Sequence, residues 1–225
     1  MTNVVTTPGD QEFVVAGVEA MASAMRGAIA QNGRVVLGLS GGSTPKPIYE
    51  ALGNAQIDWS KVWIFLVDDR YIRPDDPKSN QFLLRSTLLK NAPIPESQIL
   101  FPDTSLPLPE CADLYDRQVT DLLKKGPVDI VTLGLGEDGH IASLFPPLPD
   151  EAFGPKNVIH TTTDRFDVRE RISVTMPVLT VAKSSVFFLK GAEKKRVWEQ
   201  MTTSKDGPNR WPAKMLRNAT VIAQW

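Results

Sequence analysis

Between residues 134 and 146 the chain reads GLGEDGHIASLFP, with glycines at 134, 136 and 139 and a histidine directly after the last of them. Two chemistries compete for that spacing. A G-x-G-x-x-G between a strand and a helix lets the backbone approach a dinucleotide pyrophosphate, and Asp164, 25 residues past Gly139, stands roughly where a ribose-binding acid belongs. A histidine at a strand edge has an imidazole suited to taking a proton from water, and Gly139 lets the turn present it. The glycine pattern alone is a weak signal, and its strand lies far from the chain start, without an early βαβ unit. The chain has two histidines, and this one sits beside Glu137 and Asp138. His140 is therefore read as a general base, ahead of the blander alternative of a hydrogen-bonded structural histidine. His160, inside NVIHTTT, is read as structural.

Three other clusters carry polar chemistry. SGGSTP (40–45) places two glycines and two hydroxyls between an apolar run and a helix start, where backbone N–H groups and the helix dipole converge on an anion. It lacks the Gly-Lys-Ser/Thr of a Walker loop, and the alternative is a tight turn with a good N-cap. Ser40 is read as a phosphate or turn residue in preference to a nucleophile, because GLSGG is not a G-x-S-x-G elbow. In VDDRYIRPDDPKSN (67–80), Asp68, Asp69 and Arg70 emerge together from a strand end. Arginine clamps phosphate bidentately, and a carboxylate there binds sugar hydroxyls or shuttles protons. The DDPK at 75–78 is read as a solvated loop. Arg171 and Lys194 flank late strands, the lysine at a helix start where it can complete an anion site; taken singly, each is more often a surface charge. No His, Asp or Glu spacing suggests a metal site.

These residues need a scaffold that brings strand ends together. Val14, Val18, Met21, Met25 and Ile29 recur at helical spacing and Gly33 is placed as a C-cap. RVVLGLS (34–40), VWIFLVD (62–68) and VDIVTLGLG (128–136) are apolar on both faces, as in buried parallel strands. Helices are expected over KPIYEAL, N-capped by Thr44, over SNQFLLRSTLLK, CADLYDRQVTDLLKK and AEKKRVWEQM, and a short one over IASLF. NVIHTTT, RISVTMPVL, SSVFFLKG and the closing ATVIAQW complete an alternating α/β pattern. The proline-rich stretches at 91–109 and 145–155 are read as surface loops within one domain spanning 1–225.

Bulk properties narrow the function classes. With 25 Lys plus Arg against 26 Asp plus Glu, the net charge of -1 offers no general attraction for nucleic acid or an anionic membrane. No uninterrupted apolar run reaches the roughly 18 residues of a membrane span, and the N-terminus does not read as a signal peptide. Cys111 stands alone, which fits a reducing compartment. The expectation is a cytoplasmic protein, monomeric or a small homo-oligomer, with no nucleic-acid or membrane partner.

LSGGSTP, VDDRYIRPDDPKSN, GLGEDGHIASLFP, RISVTMPVL and KGAEK, in this order, resemble the 6-phosphogluconolactonase family of the sugar-phosphate isomerase and deaminase-like superfamily. The resemblance runs from about residue 10 to the C-terminus. It implies a three-layer α/β/α, Rossmann-like fold with an open, mostly parallel sheet. It implies hydrolysis of a sugar-phosphate lactone, 6-phospho-D-glucono-1,5-lactone, in the oxidative pentose phosphate pathway, without metal or organic cofactor. By motif, His140 takes the place of the family's base and Asp138 its neighbouring acid. Gly41, Gly42 and Ser43 fall in the phosphate-side loop, Arg70, Arg171 and Lys194 are the basic residues around the substrate, and Asn80 sits in the family's SN element. The related glucosamine-6-phosphate deaminases follow the histidine with Asn-Glu-Pro and carry an aromatic residue at position 70; this chain has ASLFPPL and Arg70. A sugar-phosphate sensor would need a DNA-binding element, and neither terminus offers a basic helix-turn-helix.

Overall fold

The structure is a computed structural model that describes residues 2–225. Its first half runs β1 (Asn3–Thr6), α1 (Asp10–Asn32), β2 (Val35–Leu39), α2 (Lys46–Leu52), β3 (Val62–Leu66), β4 (Asp68–Arg70), α3 (Asn80–Ser86), α4 (Leu88–Asn91), β5 (Ile99–Leu100) and α5 (Leu108–Leu123). The second half is β6 (Ile130–Leu133), β7 (Val158–Thr162), β8 (Glu170–Val174), α6 (Met176–Thr180), β9 (Ser184–Lys190), α7 (Ala192–Thr203) and β10 (Ala219–Gln224).

Seven strands form one parallel sheet in the order β1-β10-β9-β6-β2-β3-β5. Alternation along each strand builds two cores. Val35, Leu37 and Leu39 point to the face covered by Phe13, Met21 and Met25 of α1 and Ile48 and Leu52 of α2. Val36, Val131, Leu133 and Phe187 point to the other face, against Tyr115, Val119 and Leu122 of α5 and Val197 and Met201 of α7. The three-layer α/β/α architecture expected from the sequence is thus present. Each such buried side chain contributes about 1.5–3 kcal/mol of hydrophobic stabilisation. α1 is long and apolar enough by length and composition to cross a membrane, and Glu19 and Arg26 interrupt it. Here Phe13, Met21, Ala22 and Met25 are buried in the core with the sheet, and Gly17 lies against Ile48 of α2.

The direction in which successive strands are added reverses between β2 and β6. From β2 the sheet grows through β3 to β5, and from β6 it grows the other way through β9 and β10. The loops after β2 and β6, SGGSTP and GLGEDGH, therefore open side by side at the C-terminal edge, the usual crevice of an open α/β sheet.

A second, antiparallel sheet, β4-β8-β7, stands over that edge. VWIFLVD, expected as one strand, is divided between the two sheets at Val67. The Val67 N–H donates to Leu39 O (3.0 Å) and its carbonyl accepts from Val174 N (2.8 Å), so one residue bonds to both sheets. A continuous apolar run does not reveal such a change of partner.

Other expectations need correction. IASLF is not a helix: Ile141 and Leu144 form an isolated bridge across a tight turn, with Ala142 at φ 49°. SNQFLLRSTLLK breaks at Thr87, whose hydroxyl donates to Leu83 O (2.6 Å). RISVTMPVL turns from β8 into α6 at Met176, with Pro177 in the first turn. Thr44 does not cap α2, which starts at Lys46 with no side-chain cap. Gly33 does close α1, at φ 72°, its N–H donating to Ile29 O (2.9 Å). The short strands β1, exposed along its length, and β5, inside the proline-rich stretch, carry no apolar periodicity and were not anticipated.

Candidate active site

A cavity of about 760 Å³ opens at the switch point, lined by Ser40, Gly41, Gly42, Ser43, Asp68, Arg70, Asn80, Asp138, His140, Arg171 and Lys194, all expected from the sequence as site residues. They arrive from the loops after β2 and β6, from β4 and β8, and from the starts of α3 and α7.

The loop after β6 carries a coupled acid and imidazole. His140 Nδ1 lies 2.5 Å from Asp138 Oδ1, and the His140 backbone N–H donates to the same oxygen at 3.2 Å. Burial pushes the Asp138 carboxyl up, but the His140 hydrogen bonds and charge, with Arg165 beside it, outweigh burial and hold it at about 2. Asp138 is thus a carboxylate poised against an imidazole nitrogen. Gly136 makes the arrangement possible: a Cβ there would fall 2.0 Å from His140 Nδ1. Gly139 takes φ 87°, as the turn into His140 demands. Arg210 braces the loop, donating to Asp138 O (2.5 Å) while stacking 3.9 Å over Trp211. The imidazole packs against Phe145 and Phe166, with ring centroids 4.8 and 5.8 Å away.

The β4 strand delivers Asp68 and Arg70 in the antiparallel pair with β8. Asp68 Oδ2 accepts from Ser143 Oγ (2.6 Å), tying β4 to the histidine loop. Asp69, fully buried, points the other way and is not part of the cavity. It accepts from the backbone N–H groups of Arg70 and Asn80 (both 2.7 Å) and from Ser79 Oγ (3.1 Å), holding the start of α3. Burial drives its carboxyl up to about 6 despite those donors.

Arg70 and Arg171 occupy opposed positions of the β4–β8 ladder. Arg70 donates to Lys78 O, while its Nε is buried without a partner. Arg171 donates from Nε to Val168 O (3.0 Å), and its guanidinium sits 5.5 Å over the Phe166 ring. Burial and then the charge of Arg70 lower its pKa from the ordinary arginine value. Two cations held together in a half-enclosed cavity make a site for a doubly charged anion.

The loop after β2 supplies the floor. Ser40 N–H donates to Thr132 Oγ1 (2.9 Å), and Tyr49 OH donates to Ser40 O (2.8 Å). A Cβ at Gly41 would fall 1.8 Å from Asn80 Oδ1, so only glycine lets the loop lie against Asn80, whose Nδ2 donates to Asp68 O (2.8 Å). Lys194 projects from the first turn of α7; its neighbours Lys190 and Lys195 pair with Asp10 and Glu199, whereas Lys194 lines the cavity.

Sequence reasoning missed Ser143, Arg165, Phe166 and Arg210. Arg165 and Phe166 ride on the β7–β8 connection, and nothing in TDRFDVR sets them apart from a charged surface loop. Asp164, the acid that the dinucleotide alternative needed, is exposed, pairs with Arg169 and does not line the cavity. His160 pairs with Glu170 on the small sheet and does not line this cavity. Cys111 is buried, and burial first, then Asp103 and Asp69, push its thiol up to about 11. Among the described residues no cluster of His, Cys, Asp or Glu is close enough to hold a metal ion.

Comparison with known proteins places the fold and the family. A probable 6-phosphogluconolactonase of Dictyostelium discoideum is 46% identical over 182 residues, covering 79% of this chain and 77% of its own. The 6-phosphogluconolactonase of Synechocystis is 35% identical over 196 residues, covering 84% and 80%. The crystal structure of 6-phosphogluconolactonase from Thermotoga maritima superposes with a TM-score of 0.88 at 27% identity, covering 100% of this chain and 99% of that one. The model of the glucosamine-6-phosphate isomerases and 6-phosphogluconolactonases matches residues 8–225, and the chain belongs to that family.

Proposed function

We propose that this chain, acting as one domain over residues 1–225, hydrolyses 6-phospho-D-glucono-1,5-lactone to 6-phospho-D-gluconate in the oxidative pentose phosphate pathway. The observation that carries the reading is the joint presence, in one cavity, of the Asp138–His140 pair and the opposed Arg70 and Arg171.

A lactone carbonyl is already electrophilic, so the reaction needs an oriented water, a base and stabilisation of the developing oxyanion. His140 Nε2 takes a proton from water as its oxygen attacks the carbonyl carbon. Asp138 holds the ring through Nδ1 and stabilises the imidazolium that forms. The tetrahedral intermediate then collapses, the bond to the ring oxygen breaks, and His140 returns its proton to that oxygen. One water is consumed, and the products are a carboxylic acid, which ionises, and a hydroxyl. No covalent nucleophile, metal or organic cofactor enters. Arg70 and Arg171 hold the phosphate, and this remote anchor directs binding energy into orientation. The loop Ser40–Ser43, Asp68, Asn80 and Lys194 complete the pocket around the sugar and its charge. The protein works in the cytoplasm, as a monomer or small homo-oligomer, with no nucleic-acid or membrane partner.

The test is acid release from lactone generated in situ, measured above the spontaneous rate, for wild type and His140→Ala. Wild-type activity that falls by about 10²- to 10⁴-fold in the variant, with unchanged circular dichroism, supports the mechanism. Absence of wild-type activity sinks it and favours amino-sugar phosphate as substrate; equal activity in both moves the base elsewhere.

A further inference from the structure

The two oxygens of Asp138 are treated differently. Oδ1 takes both contacts from His140, whereas Oδ2 is buried and has no hydrogen-bond partner. Arg165 Nε stands 3.5 Å from Oδ2, too poorly aligned for a hydrogen bond but within ion-pair range. Arg165 comes from the β7–β8 connection, and the next residue, Phe166, lies edge-on to the His140 ring.

We propose that Arg165 is a positioning residue that trims the base strength of His140 by partly neutralising the Asp138 carboxylate, an inference that rests on His140 being the general base. A carboxylate against Nδ1 stabilises the imidazolium, which is the form unable to accept a proton from water. Stronger support for the cation helps the transition state but empties the reactive neutral form at the pH where the enzyme must work. A guanidinium at the far oxygen withdraws part of that pull without touching the imidazole. Phe145 and Phe166 flank the ring, and their apolar surfaces lower the local dielectric around it.

Other charges face the pair. Glu137 shares its loop, Asp68 and Arg70 come from β4, Arg171 from β8, Lys194 from α7, and Asp206 and Arg210 from the segment after α7. Arg210 is engaged with the Asp138 carbonyl, and Arg70 and Arg171 face each other across the ladder. Arg165 is the guanidinium placed at the carboxylate itself. Its side chain is 63% exposed, so its influence is modest and sensitive to salt.

The chain has only two histidines, so ring resonances of His140 can be followed by NMR and assigned with His160→Gln. Wild type, Arg165→Lys, Arg165→Ala and Arg165→Glu are titrated, and the acid limb of kcat/KM for lactone hydrolysis is measured on the same proteins. The ring midpoint and the acid limb should rise together by about 0.3–0.5 pH unit in Arg165→Ala and about twice that in Arg165→Glu. Arg165→Lys should stay near wild type, and roughly 1 M salt should compress the series. A merely structural arginine would not produce an order that follows charge. Midpoints that coincide across the series in an active enzyme overturn the role of Arg165 and leave the lactonase reading standing. A wild type without lactonase activity, or an active His140→Ala, removes the general base and this proposal with it, whatever the titration shows.

Discussion

Arg70 and Arg171 stand directly opposite each other across the β4–β8 ladder, both lining the cavity. Like charges at opposed positions of an antiparallel pair are destabilising, and here one of them is 5% exposed. The arrangement is costly by itself, and a dianion between the two side chains would offset that cost.

Inorganic phosphate should therefore stabilise the wild-type protein, with a rise in Tm of about 2–4 °C at concentrations well above Kd. Arg70→Met and Arg171→Met should each lose most of that rise and raise KM for the phosphorylated lactone by about 10-fold or more. Differential scanning fluorimetry with and without phosphate reads the first effect and steady-state kinetics the second. Undiminished shifts in both variants would place the anion elsewhere in the cavity.

Gly136 tests the geometry of the histidine loop with one methyl group. Its Cβ would overlap His140 Nδ1 and crowd Asp138 Oδ1, at 2.0 and 2.7 Å. Gly136→Ala should cut kcat by about 10²-fold or more, because displacement of a base by about 1 Å has that order of effect. The loss of Tm should be a few degrees at most, since the position lies in a loop at the sheet edge. A variant with wild-type kcat would show that the loop shifts freely.

Asp69 makes a prediction about pH and stability. Its carboxyl is raised from 3.8 to about 6, so the native state retains a proton that the unfolded chain releases. The corresponding stability is complete below pH 3.8 and is lost as pH rises through about 6, a difference of about 3 kcal/mol. Asp69→Asn cannot ionise, so the change in unfolding free energy between pH 4 and pH 7 should differ from wild type by about that amount. Urea unfolding at the two pH values measures it; identical slopes in both proteins would assign the titration to another group.

The cavity residues were legible in the sequence because each sits on, or immediately after, an apolar strand or at a helix start. Ser40, Asp68 and Asp138 follow β2, β3 and β6 within a few residues, and the C-terminal ends of parallel strands must meet at one edge. Arg165 and Phe166 gave no such signal. They reach the site because β7 and β8 form a hairpin over the sheet edge, a long-range fact that no local pattern encodes. Ser143 was hidden for a related reason: IASLF has helical spacing, yet its turn is set by contacts to Asp68 and Ser173 from distant strands. Asp69 and Asp68 are adjacent in sequence, and only the alternation of β4 sends one into the cavity and the other beneath α3.

Val67 links all of this. The candidate dyad belongs to the parallel sheet, the arginine pair belongs to the small one, and the backbone of Val67 is hydrogen-bonded to Leu39 in the first and Val174 in the second. The span between the proposed base and the proposed anion site is therefore set in part by how one sheet seats on the other. A ligand whose charged tail is one carbon shorter should meet a mismatch that a change in one side chain does not remove, because the length is written into the packing of two layers.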